Sequence, residues 1–373
     1  MFAKIVVLIM SFVVMFSSTF GLGFTAPYDE AEDVKNVIIM IGDGMGFNHL
    51  YSTENEYDVD LTIFNGFEYY GSQRTRSASA LVTDSAAGGT ALATGGKTMN
   101  GYIGVYPTDP LGAIAVPASV TDVAMKYGKA TGIVTSDSIM GATPSAFSAH
   151  VRDRDLSEDI FAQQVVSEID LIWGAVNEIV TEAEVNENGK VYVDNLTEVK
   201  ALEPGQKSIG QFSSTSMWKG EKYGTDNPTL SELAVEAIDL LNQDEDGFFL
   251  MIEGAHIDKR SHDQDGEEAM IAVLEFDRTI KAVLDFAEKD GNTLVIVTAD
   301  HETGGVTLSA DGSYQWTKGS HTGANVPCFV YGADSFIENG EVIENTDVPD
   351  FAVAYMTNNE QAFPCPLAYL QDK

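Results

Sequence analysis

Asp258 and His262 stand four residues apart, a spacing that lets one helical face or tight turn aim both side chains at a single ion. His321 offers a third ligand for that ion, and Asp300 and His301 could hold a second together with Asp43. Mixed imidazole and carboxylate ligands suit zinc. Asp43, Thr143 and Glu253 offer oxygen alone, which suits magnesium. Two zinc ions a few ångströms apart clamp an in-line phosphoryl displacement, one on the entering oxygen and one on the leaving oxygen.

The nucleophile for such a displacement lies in Thr83-Asp84-Ser85-Ala86-Ala87-Gly88-Gly89-Thr90-Ala91-Leu92-Ala93. Thr83 and Asp84 are good helix starters, so Ser85 falls in a first turn, where backbone N–H groups lack partners and the helix dipole is positive. An alkoxide or an attacked phosphate is stabilised there. A helix of small residues can also be no more than a packing face; the metal-ligand types elsewhere in the chain favour the chemical reading. Beside two zinc ions Ser85 would ionise near neutral pH and attack phosphorus. Arg154 could grip two phosphate oxygens as a fork.

Positioning these groups requires a scaffold that delivers them to one edge. Five apolar runs, Asn36–Ile41, Ala130–Thr135, Gly247–Ile252, Asn292–Thr298 and Val326–Tyr331, read as buried parallel strands. Helical patterns lie between them at Ser119–Tyr127, Leu156–Ile169, Leu230–Leu241 and Glu267–Lys289. The alternation predicts an α/β fold, a three-layer sandwich with a largely parallel central sheet flanked by helices. Asp43, Thr143, Glu253 and Asp300-His301 all follow strand ends, the edge where open α/β sheets bind ligands. The polar, weakly periodic stretch 181–227 reads as a surface insertion in a single domain over 25–373. The 302–320 interval is too short for a large cap domain.

At these residues the sequence resembles the alkaline phosphatase family. The likeness covers Asn36–Gly46, Val82–Gly95, Gly132–Arg154, Gly247–His262, Asn292–Gly305 and His321–Tyr331, with Val82-Thr83-Asp84-Ser85-Ala86-Ala87-Gly88-Gly89-Thr90 the most specific part. The resemblance implies a phosphate monoesterase in which Ser85 becomes phosphorylated. It implies one zinc on Asp258, His262 and His321, another on Asp43, Asp300 and His301, and a magnesium on Asp43, Thr143 and Glu253. Arg154 would bind the substrate phosphate, Asp84 would help hold it, and Lys259 would reach phosphate through water. A homodimer acting on small phosphate monoesters is also implied. Gly141 departs from the pattern, because many members place an aspartate or histidine there beside the magnesium. A carboxylate at 141 could pair with Lys259, so its absence predicts a Lys259 free to turn towards phosphate.

Rival activities fit less well. A phosphodiesterase or related hydrolase would use similar metals, but Arg154 suits a dianionic terminal phosphate. Ser85 lacks the sequence context that matures a sulfatase nucleophile, and no Gly-x-Ser-x-Gly elbow marks a serine esterase. His49 and His150 read as structural, and His256 as a neighbour of the ligand loop.

The 373 residues carry 57 acidic against 21 basic side chains, a net charge of −36, which disfavours nucleic acid or an anionic membrane surface as partner. Residues 1–24, with Lys4 ahead of an apolar run, have the layout of a secretory signal peptide; the run is too short to span a bilayer. A periplasmic or secreted protein, without stable membrane association once that segment is removed, is the expectation. Cys328 lies in an apolar run and reads as a buried thiol rather than half of a bridge with Cys365. The acidic shell suits a saline habitat, since salt screens self-repulsion. The melting temperature should therefore rise from low salt to molar sodium chloride, and by more than that of a near-neutral homologue; a flat profile would contradict the screening argument.

Overall fold

The computed structural model describes residues 35–108, 113–221, 226–332 and 337–371. The leader-like segment 1–24 lies outside them. One sheet organises the chain. Its strands, in chain order, are β1 (Asn36–Gly42), β2 (Tyr69–Arg74), β3 (Ala130–Ser138), β4 (Leu171–Ala175), β5 (Val191–Val193), β6 (Ser208–Phe212), β7 (Phe248–Gly254), β8 (Thr293–Thr298), β9 (Val326–Tyr331) and β10 (Glu341–Glu344). They lie side by side as β10-β2-β9-β8-β1-β7-β3-β4-β6-β5. Val326–Tyr331, expected as parallel, instead runs antiparallel to both β8 and β2. The other pairings are parallel, so the sheet is largely parallel as the apolar runs suggest.

β1 is buried along its whole length, as both of its faces are covered. On one face Ile38 and Met40 join Val134, Leu250, Val295 and Val297 in a single apolar cluster. Two helices close that cluster: Leu230–Leu241 and Gly266–Asp290. The second begins where Asp265 accepts the Glu268 N–H and ends at Gly291, whose φ of 74° favours glycine. Met270, Val273, Phe276, Ile280, Val283 and Ala287, spaced by three or four, give it one apolar stripe, which Leu284 widens. Its buried carboxylate, Glu275, accepts from the Ser231 N–H and hydroxyl, tying the start of Leu230–Leu241 to it. On the opposite face Phe147 stacks on Phe249 at 6.1 Å.

The stretch 181–227 is not a surface insertion. It supplies β5 and β6, and β6 is buried throughout. It also supplies the helix Ser214–Lys219, with Met217 and Trp218 buried. Its strands are only three and five residues long and carry Ser, Gly, Tyr and Gln, so they lack the apolar run that marks the central strands. β2 and β10 escape recognition for the same reason. Both cysteines are buried thiols with no bridge between them, and burial pushes Cys328 up to about 12. Among the described residues no helix is long and apolar enough to cross a membrane.

We label the site-bearing helices α1 (Ser85–Thr94), α2 (Ala142–Ala146), α3 (Ser214–Lys219), α4 (His256–His262) and α5 (Asp347–Met356). Helix α1 ends at Gly95, φ 71°, against Asp350 of α5. Among the described residues the buried Oδ1 of Asp350 has no hydrogen-bond partner, and burial with Asp347 nearby pushes this carboxyl from its ordinary value up to about 7. The folded state therefore holds a proton that the unfolded chain releases near pH 4, and stability falls as pH rises from there towards 7. Asp350→Asn should melt at a higher temperature than the parent above pH 7, with the gap closing towards pH 4. A gap that does not change with pH would sink this assignment.

Candidate metal centre

Strand register brings the carboxylates together. Ile41 of β1 pairs with Thr298 of β8 and with Glu253 of β7, so Asp43 and Asp300 each lie two residues past one paired level. Thr135 of β3 is level with Glu253. Just beyond β7, α4 carries Asp258, Lys259 and His262. His321 arrives by a short antiparallel pairing of His321–Thr322 with Glu302–Thr303.

The first cluster is Asp258, His262 and His321. The Nδ1 atoms of His262 and His321 face the carbonyls of Gly319 (3.0 Å) and Thr83 (2.9 Å), so each must be protonated to donate. In neutral rings the Nε2 atoms then carry lone pairs, yet they stand 3.0 Å apart. Asp258 Oδ1 lies 3.4 Å from one and 3.6 Å from the other. Three acceptors facing one point with no donor between them is the arrangement a cation resolves.

The second cluster joins Asp43 and His301 with Asp258. Asp300 also belongs to it, with Oδ2 3.2 Å from His301 Nε2, while Asp43 Oδ1 is 3.5 Å from the same nitrogen. Asp258 thus borders both clusters, a sharing that the spacing alone does not show. Among the described residues Asp43 Oδ1 and Asp300 Oδ2 are buried without hydrogen-bond partners; burial pushes both carboxyls up, and repulsion from neighbouring carboxylates pushes Asp43 higher still. Burial pushes His301 down to about 3, keeping it neutral and a potential ligand. Orphaned carboxylate oxygens beside a neutral imidazole fit a divalent cation.

Glu253 is buried nearby. Burial pushes it up to about 8, against the pull of the hydrogen bond from Thr135. Thr143 sits in α2, capped by Gly141, and Glu253 lies close enough to Asp43 for its charge to raise that carboxyl. His256, on the far side of α4, lies between the hydroxyls of Ser136 (3.5 Å) and Ser214 (3.1 Å) and stacks on Trp218 at 5.2 Å; burial pushes it down to about 3. His49 is likewise buried and neutral, accepting from Gly46 N–H and contacting Ser261 at 3.0 Å.

Ser85 opens α1, with its Oγ 3.1 Å from His301 Nε2. Asp84 caps that helix through the Ala87 N–H (3.0 Å), and its other oxygen takes the Gly101 N–H (2.9 Å) and Arg154 Nη1 (3.3 Å). One carboxylate therefore fixes both the helix that carries Ser85 and Arg154. The small residues after Ser85 are needed for contact, since a Cβ on Gly88 would sit 2.9 Å from the Asp300 carbonyl. Lys259 does not hang free, as the glycine at 141 suggested. Its Nζ lies 2.6 Å from Asp137 Oδ2.

Two supporting residues escape the sequence reading. Asp137 stands in Ser136-Asp137-Ser138, which reads as loop polarity. Thr303 sits beside Asp300 and His301 and would draw notice only as their neighbour. The Thr303 hydroxyl donates to Asp258 Oδ1 and so accepts from His301 Nδ1 (3.2 Å), which leaves His301 Nε2 free as a ligand. Thr303→Val should weaken divalent-cation binding by about 10- to 100-fold, while Thr303→Ser should retain most of it. A binding isotherm unchanged in Thr303→Val would remove Thr303 from the centre.

A family model described as alkaline phosphatase matches residues 34–171 and 174–317. Alkaline phosphatases 3 and 4 of Bacillus subtilis are 36% and 38% identical over 306 and 309 residues, which is 76% and 77% of this chain. The matches cover 64% and 65% of those relatives, so the chain spans slightly less than two thirds of their length. The alkaline phosphatase of the Antarctic bacterium TAB5 superposes with a TM-score of 0.74 at 30% identity, over 89% of this chain and all of that one. A mutant of the TAB5 enzyme has magnesium bound in its M3 site.

Proposed function

This chain belongs to the alkaline phosphatase family, and from that premise we propose that it hydrolyses phosphate monoesters through a phosphoserine at Ser85. The observation that carries the reading is the Ser85 hydroxyl at the positive end of α1, 3.1 Å from His301 and within the carboxylate cluster. We assign one zinc to Asp258, His262 and His321, a second to Asp43, Asp300 and His301, and a magnesium to Asp43, Thr143 and Glu253. The magnesium in the TAB5 M3 site supports the third assignment. Bound there, the ions would supply charge against the entering and leaving oxygens and against the phosphoryl group.

The chain's own residues do the rest. The unpartnered N–H groups of the first turn of α1 attract the phosphoryl oxygens. Arg154, steadied by Asp84 and 37% exposed, is free to present its fork to the two remaining oxygens of a terminal phosphate. Ser85 Oγ gives up its proton to solvent and bonds to phosphorus as the ester P–O bond breaks, and the departing oxygen takes a proton from solvent. Water then displaces phosphate from Ser85, restoring the hydroxyl. His262 is exposed, so the ester enters from that side of the centre.

A periplasmic or secreted location, supported by the leader-like segment, belongs to the same proposal, as does a homodimer. Ser85→Ala should keep its fold and its metal content while losing p-nitrophenyl phosphate hydrolysis by several orders of magnitude. Acid quenching should trap phosphate on the parent and not on the variant. A variant that keeps most of its activity, or a parent faster on bis(p-nitrophenyl) phosphate, would overturn the reading.

A further inference from the structure

The edge of β3 contains an irregularity that the phosphatase reading does not use. Val134 pairs with Trp173 and Ser138 with Ala175, so four steps along β3 match two along β4. The extra length, Thr135 to Asp137, forms a bulge opposite Gly174. A Cβ on Gly174 would lie 2.5 Å from the Asp137 carbonyl and 2.8 Å from Thr135 Cγ2, so the bulge needs a glycine there. Bulges re-aim side chains, and they cluster beside active sites. Here the result is Asp137 Oδ2 2.6 Å from Lys259 Nζ, across from the next residue after the shared ligand Asp258.

The bulge is also wired to the centre. The Thr135 hydroxyl accepts the Asp137 N–H (3.0 Å) and donates to Glu253. A chain of contacts thus runs from Glu253 through Thr135 and Asp137 to Lys259. Gly141 leaves no carboxylate in α2 to take this lysine. It has little room for one, since a Cβ there would be 3.0 Å from the Ser138 carbonyl.

We propose that Asp137, presented by the β3 bulge opposite Gly174, is a positioning residue that restrains Lys259 and thereby limits how tightly the site holds inorganic phosphate. The inference rests on the phosphatase reading. An ammonium group held in an ion pair offers less of its charge to a neighbouring phosphate, which favours release of the product. With the carboxylate removed, the flexible lysine stem can swing towards phosphate instead.

Two measurements test it: competitive inhibition by inorganic phosphate, and acylation of Lys259 by an amine-reactive ester, followed by peptide mapping. Asp137→Asn should tighten phosphate inhibition by roughly fivefold, the size expected of one half-exposed ion pair. In a Lys259→Met background the same change should do nothing, and Asp137→Glu should restore the parent value. Lys259 should acylate faster in Asp137→Asn and in Gly174→Ala; should Gly174→Ala fail to fold, Asp137→Asn alone decides. Phosphate inhibition that is unchanged or weaker in Asp137→Asn, or equally shifted without Lys259, overturns the role of Asp137. A parent that phosphate does not inhibit at all overturns the phosphatase reading, and this role with it; acylation still reports whether the ion pair exists.

Discussion

Four carboxylates, Asp43, Asp258, Asp300 and Glu253, are buried at one edge of the sheet, beside the imidazoles of His262, His301 and His321. Burial opposes the charged form of Asp43, Asp300 and Glu253, and repulsion from neighbouring carboxylates adds to it at Asp43 and Glu253. Such a group of like charges persists only if multivalent positive charge enters it or protons remain on it. Everything nearby is arranged to aim the lone pairs inwards. Backbone carbonyls fix the outer nitrogens of His262 and His321, and Thr303 fixes that of His301. The cost of assembling the acidic edge is one that a bound cation would offset.

The rigid part of that arrangement is the strand register. β1, β7 and β8 hold their terminal residues level because their cores interlock in one cluster on one face and in a second layer on the other. A slip of one residue would turn Asp43 or Asp300 to the wrong side of the sheet. Helix α1 is seated against the same edge through contacts only small residues allow, at Gly88 against Asp300 and at Gly89 against Thr143. Asp84 then joins the first turn of α1, which carries Ser85, to Arg154 in one hydrogen-bonded unit.

Towards β4, β6 and β5 the sheet is less regular, and the irregularity has a consequence. The bulge in β3 turns an ordinary strand-end aspartate onto Lys259, and α3 backs α4 through the Ser214–His256 contact and the Trp218 stack. The stretch 181–227 therefore acts as a buttress for the ligand-bearing helix. Its polar composition conceals this, because short strands beside a sheet's margin need few apolar residues.

The sequence by itself determined the class of the fold and the central strands, and it singled out Asp43, Asp258, His262, His301 and His321, which the structure gathers into two candidate clusters. Those features depend on local pattern: apolar runs bounded by turns, Asp258 and His262 at one helical spacing, and Ser85 behind a capping aspartate. The reversed direction of β9, the sharing of Asp258 between two clusters, the roles of Thr303 and Asp137 and the place of β5 and β6 were decided by tertiary structure. Each depends on residues far apart in the chain, such as Asp137 against Lys259 or Thr303 against Asp258. Nothing local distinguishes an aspartate in a polar turn from one that a bulge has aimed at a lysine. That difference arises only when β4 packs against β3 with a glycine at the point of contact.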